Sequence, residues 1–210
     1  MHASCVCSVD VCWTAMETQG STMKITMNTT ALYVSAWLGA VGLAFALAIA
    51  SPNESSVMGH MPASMSQTLS HQPIAVPEGF PSERTLALIT FKGDQRAQAE
   101  TWIQGLNLRN DASISWMRVS VLNDPGTTSG RNAAETRLRQ NYTSDSERAK
   151  LVPVFTDKAD FVRAAGLNGI NQSYAVVVNR EGDVLARVEG RFDAEKAALL
   201  RETLSVQGIH

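Results

Sequence analysis

The apolar positions of this chain fall into three rhythms. The first is a single uninterrupted run, Ala31–Ala50 (ALYVSAWLGAVGLAFALAIA), without one charge. A stretch of roughly 20 apolar residues is long enough to cross a bilayer as a helix. The second is a short β-branched run, Tyr174–Asn179, which predicts a strand buried on both faces. Turn chemistry follows in Arg180-Glu181-Gly182-Asp183. Val184, Ala186 and Val188 then alternate with Leu185, Arg187 and Glu189, so a half-exposed partner strand completes a hairpin that ends at Gly190.

The third rhythm alternates strand and helix periods between these two landmarks. Thr85–Phe91 reads as a strand, broken by Gly93-Asp94. Ala99, Trp102, Ile103 and Leu106 recur at i, i+3, i+4 and i+7, the stripe of an amphipathic helix. Ile114–Leu122 is a second strand with Met117, Val119 and Val121 on one face, closed by the turn Asn123-Asp124-Pro125-Gly126. A helix with Ala134, Leu138 and Tyr142 on one side and a loop over Thr143–Glu147 come next. Leu151–Phe155 is extended, and its Pro153 predicts an edge strand. Thr156 or Asp157 caps a short helix with Phe161, Val162 and Ala165 inward, which Gly166 terminates. After the hairpin, Asp193 caps a closing helix lined by Ala197, Leu200 and Leu204. The order β-α-β-α-β-α-β-β-α predicts an α/β sandwich with a mixed sheet over 82–205, with a short tail at 206–210.

LVPVFTD at 151–157, AAGL at 164–167, VVVNREGDVL at 176–185 and VEG at 188–190 together resemble the thioredoxin-like superfamily, nearer its peroxiredoxin and cytochrome-maturation branches. The resemblance implies a three-layer sandwich around a mixed central sheet. It also implies where a redox site would lie: a C-x-x-C between the first strand and first helix, facing a cis-proline before the terminal hairpin. Here those places read Gly93-Asp94-Gln95-Arg96-Ala97-Gln98 and Asn171-Gln172-Ser173, with neither cysteine nor proline. The 3 cysteines, Cys5, Cys7 and Cys12, all precede the hydrophobic run. Disulfide exchange and peroxide reduction both need a thiolate, so the expected domain is redox-inactive.

Composition narrows the rest. Hydrophobic content of 44%, charged content of 18% and a net charge of −2 without long single-sign runs exclude a nucleic-acid surface. Residues 1–30 read as a leader, with a true start at Met23 or Met27. Ala31–Ala50 is either a cleaved signal peptide or a retained membrane anchor, and both readings export the remainder. Residues 51–81, rich in Ser, Pro, Met and small polar residues, read as a flexible tether. Past Ser82 the only histidine is the last residue, His210, and no G-x-S-x-G, Walker A or G-x-G-x-x-G pattern occurs, so no catalytic set is evident. The expectation is an envelope binding or accessory module that meets a protein or peptide through Gly93, Asp94, Gln95, Arg96, Asn171, Gln172 and Ser173. A second reading is copper handling by the soft and borderline donors Met58, His60, Met61, Met65 and His71. A third is an enzyme with non-thiol chemistry.

Overall fold

A computed structural model describes residues 57–205. The leader, Ala31–Ala50 and the tail lie outside them; among the described residues no helix is long and apolar enough to cross a membrane. Seven strands and five helices follow in the order β1 (Ser64–Gln67), β2 (Pro73–Val76), β3 (Arg84–Thr90), α1 (Arg96–Gly105), β4 (Trp116–Leu122), α2 (Thr128–Asn141), α3 (Asp145–Ala149), β5 (Leu151–Phe155), α4 (Lys158–Ala164), β6 (Tyr174–Asn179), β7 (Val184–Glu189) and α5 (Ala194–Ser205). A 3-10 turn, Gly93–Gln95, leads into α1.

The central sheet has the order β5-β4-β3-β6-β7. β3 pairs in parallel with β4, and β4 with β5, while β6 runs antiparallel to both β3 and β7. Strand alternation divides its side chains between two cores. Ala87, Ile89, Met117, Val119, Val121, Val176 and Val178 face α4, whose Phe161 is buried among them together with Ala165 just past its end. Leu86, Leu88, Trp116, Ala175 and Val177 face Ala99, Trp102 and Ile103 of α1 and Ala197 and Leu200 of α5. This is the three-layer arrangement that a sheet buried on both faces requires. Among the described residues both indole N–H groups are satisfied: Trp102 Nε1 donates to Gly190 O and Trp116 Nε1 to Leu108 O, each at 2.9 Å.

Local chemistry agrees with the sequence at most boundaries. Asp157 caps α4 by accepting from Ala159 N and Asp160 N at 2.8 and 3.0 Å, and Asp193 caps α5 through Glu195 N and Lys196 N. Gly166 takes φ +65 at the end of α4. β5 is an edge strand, as Pro153 demands.

Three expectations are corrected. Residues 58–81 are part of the fold rather than a tether: β1 and β2 form an antiparallel hairpin, and Met61, Leu69, Val76 and Phe80 are buried. The hairpin shields the β5 edge, where Ser66 Oγ–H donates to the Pro153 carbonyl and Leu69 N–H to Leu151 O at 3.0 Å. Four-residue strands anchored by isolated apolar plugs leave no period to read. Within Thr143–Glu147, α3 begins at Asp145. No residue of α2 is buried; its inward side chains Ala134 and Leu138 are half-covered, and Tyr142, just past its end, is the one that packs inside.

Candidate functional site

β3 ends at Thr90, and the chain must turn through Lys92 and Gly93 to start α1 over the sheet. A pair of glutamines three residues apart, Gln95 and Gln98, holds this junction to the loop before β6. Gln95 is only 1% exposed. Its Oε1 accepts from Phe91 N at 2.8 Å and Lys92 N at 3.3 Å, and its Nε2 donates to Ile170 O at 2.7 Å. Gln98 Oε1 accepts from the N–H and the hydroxyl of Ser173 at 3.0 and 3.1 Å. Buried polar groups are retained where they find hydrogen-bond partners, and both polar atoms of the Gln95 amide have them.

Two lysines add further ties. Lys92 Nζ donates to Asn171 Oδ1 at 2.9 Å, and Lys158 Nζ, from α4, donates to Phe91 O at 2.6 Å. Burial and then the positive charge of Lys92 push the Lys158 ammonium below the usual lysine range. Of the residues expected to meet a partner, Gly93, Asp94, Arg96, Asn171 and Gln172 are exposed, and Gln95 and Ser173 are sealed beneath them. The structure brings the two segments together as expected and assigns the buried two a supporting place. Sequence reading missed Gln98, Lys92 and Lys158. The i, i+3 spacing of Gln95 and Gln98, equal to that of a C-x-x-C pair, was the available signal.

Behind the junction lies a charged cluster. Arg118 on β4 is 4% exposed; its Nη2 donates to Glu100 Oε2 at 2.7 Å and lies 3.7 Å from Glu147 Oε1. Arg109 pairs with the same two carboxylates at 2.6 and 3.0 Å. Burial pushes the Glu100 carboxyl up, but hydrogen bonds from Arg109 and Arg118 and their charges outweigh it, and the net shift is below the ordinary value of 4.5. A carboxyl lowered by folding stabilises the native state fully above its unfolded value, and that contribution is lost as pH falls through the folded value. Glu100→Gln is therefore expected to cost about 1–2 kcal/mol near neutrality. It should also flatten the loss of stability below about pH 5. Urea titrations of both proteins across pH 3–7 read this directly; parallel profiles would refute it.

The five proposed copper donors have different surroundings. Met61 is wholly buried in the α4-side core, so its thioether is unavailable to solvent. His60 Nδ1 lies 3.3 Å from Asp183 Oδ1, and the His71 ring meets Arg139 Nη2 at 2.6 Å. Met58 and Met65 are exposed at 46% and 80%. Among the described residues no group of three or more His, Cys, Asp or Glu side chains is placed to hold a metal ion.

No family model and no curated protein matches the chain. Solved structures do. A candidate electron transfer protein of Aquifex aeolicus VF5 superposes with a TM-score of 0.50 at 12% identity, over 71% of this chain and 97% of that one. A candidate electron transport protein of the same organism gives 0.50 at 11% identity, over 72% and 99%. BsSco, a member of the Sco family of cytochrome c oxidase assembly proteins, gives 0.49 at 14%, over 71% and 95%. Similarity at such identities establishes architecture alone. The class is that of thioredoxin-like folds: three parallel strands, an antiparallel terminal hairpin and helices on both faces.

Proposed function

We propose that this chain is an exported, non-enzymatic binding module of the cell envelope, which engages a protein or peptide through the 93–96 turn and the 171–173 loop. One observation carries the reading. At the junction where the resemblance implies a dithiol, Gln95 and Gln98 spend their amides on the backbone and side chain of the opposing loop. An amide is neither a nucleophile nor a carrier of electrons, so the junction offers a shaped surface instead of a reactive atom. The exposed Asp94, Arg96, Asn171 and Gln172 supply hydrogen-bonding groups on a buried, braced floor. Export is inferred from the uncharged Ala31–Ala50 run, cleaved or retained.

A photo-crosslinking amino acid placed at Asp94 or Gln172 of the full chain, in its own cells, tests the surface. A discrete adduct in the envelope fraction is expected from these positions and not from Glu202 on the closing helix. The purified chain should leave insulin disulfides intact. Insulin reduction at enzymatic rates, or a cytosolic protein without adducts, would overturn the proposal.

A further inference from the structure

Beside this surface a cleft of about 330 Å³ opens between the start of α1 and the end of α2. Its polar lining residues are Thr90, Ser120, Asn141, Tyr142 and two cations, Lys92 and Arg96, with no acidic residue. Lys92 Nζ donates one hydrogen bond to Asn171 Oδ1 and keeps two further N–H donors, and Asn141 Nδ2 donates to Arg137 O. Neither cation forms an ion pair among the described residues. Arg96 instead lies with its guanidinium carbon 4.5 Å from the centroid of the Tyr142 ring, and Arg118 lies 5.2 Å from the same centroid. The aromatic ring thus holds Arg96 in place without neutralising it. Lys158 adds positive charge close to Lys92. A guanidinium stacked on an aromatic ring, an ammonium and hydroxyl-bearing residues around one cleft are the kinds of group that bind an oxyanion. Asp94, in the adjoining turn, does not line the cleft.

We propose that this cleft receives an acidic side chain of the protein partner, a Glu or Asp carboxylate held between Lys92 and Arg96. This deepens the docking surface above and rests on it for the source of the carboxylate. The test is a nuclear magnetic resonance titration of the isotope-labelled full chain with three probes: N-acetylated, amidated triglutamate, the matching triglutamine, and inorganic phosphate. Triglutamate is expected to give saturable shifts at Lys92, Arg96, Ser120 and Asn141. Triglutamine, or triglutamate with the Lys92→Gln or Arg96→Gln variant, should bind about tenfold more weakly or worse, the worth of one charge-assisted hydrogen bond. Both residues are exposed, and near-ultraviolet circular dichroism confirms that each variant is folded.

Equal binding of triglutamate and triglutamine, shifts that persist in both variants, or no saturation at millimolar probe would overturn the proposal. So would phosphate binding without triglutamate binding, which assigns the cleft to a free small anion. Loss of glutamate binding with crosslinks at 94 and 172 intact removes the carboxylate and leaves the docking surface standing. Saturable glutamate binding with no crosslinked partner removes the protein source.

Discussion

Gln95→Ala should cost about 3 kcal/mol of unfolding free energy. Three hydrogen bonds vanish with the amide, and the groups left behind, Phe91 N, Lys92 N and Ile170 O, belong to a junction in which Gln95 itself is 1% exposed. A buried backbone group without a partner carries a penalty of roughly 1–3 kcal/mol, so two such groups suffice to reach that total. In a domain of this size the midpoint should fall by about 6–12 °C. Gln98→Ala should cost only about 1 kcal/mol, since the Ser173 hydroxyl keeps a second acceptor, Gly190 O at 3.4 Å, and only the Ser173 N–H is left without a partner. Urea denaturation of both variants decides the matter. If Gln95→Ala were as mild as Gln98→Ala, the buried amide would not be the brace of the 170–173 loop, and the rigid floor of the candidate site would have to come from elsewhere.

The second large effect is expected at Gly166→Ala. Gly166 combines φ +65 with an immediate backbone neighbour: a Cβ there would collide with the Met58 carbonyl. The strip Met58–Met61 is held by Met58 N–H to Val184 O at 2.8 Å, Val184 N–H to Gly59 O at 2.9 Å, His60 N–H to Ala164 O at 2.7 Å and Met61 N–H to Gly182 O at 2.7 Å. Displacing it frees these bonds and uncovers Met61, buried completely in the native state. Gly126 is the matched control, with φ +71 and open space where a Cβ would stand. Alanine at Gly126 should cost about 1–2 kcal/mol, the strain of a left-handed residue alone. Alanine at Gly166 should cost about 4 kcal/mol, adding the lost hydrogen bonds and part of the Met61 burial. It should also open the strip near Met61 to proteases. Equal costs at the two glycines would mean that the strip does not depend on the close approach.

How much of this was legible in residues can be traced element by element. The runs TLALITF, LVPVF and YAVVVN became β3, β5 and β6 because each pattern is local: a strand shows itself by alternation or by a short β-branched run. Pro153 marked an edge for an equally local reason, the missing N–H. The hairpin β1–β2 escaped notice because its burial depends on single side chains, Leu69 and Val76, that plug the rest of the fold. α2 kept its periodicity yet buries no residue, because it meets the domain chiefly through Tyr142 at its end. At the site, the segments 93–98 and 171–173 were placed opposite one another by resemblance, but the division into an exposed rim and a buried Gln95 and Ser173 was not visible.

The sequence by itself determined the alternation of strands and helices, the uncharged run at Ala31–Ala50 and the lack of any thiol beyond Cys12, since each is a property of residue types in succession. Only the tertiary structure decided that residues 58–81 pack onto the domain, that Gln95 and Gln98 close the junction, and that Lys92 and Arg96 border one cleft. Gln95 with Ile170 and Gln98 with Ser173 each join positions 75 residues apart. Hydrogen bonds and charge fields over such separations exist only after the sheet has brought its strand ends together, and no local pattern encodes them.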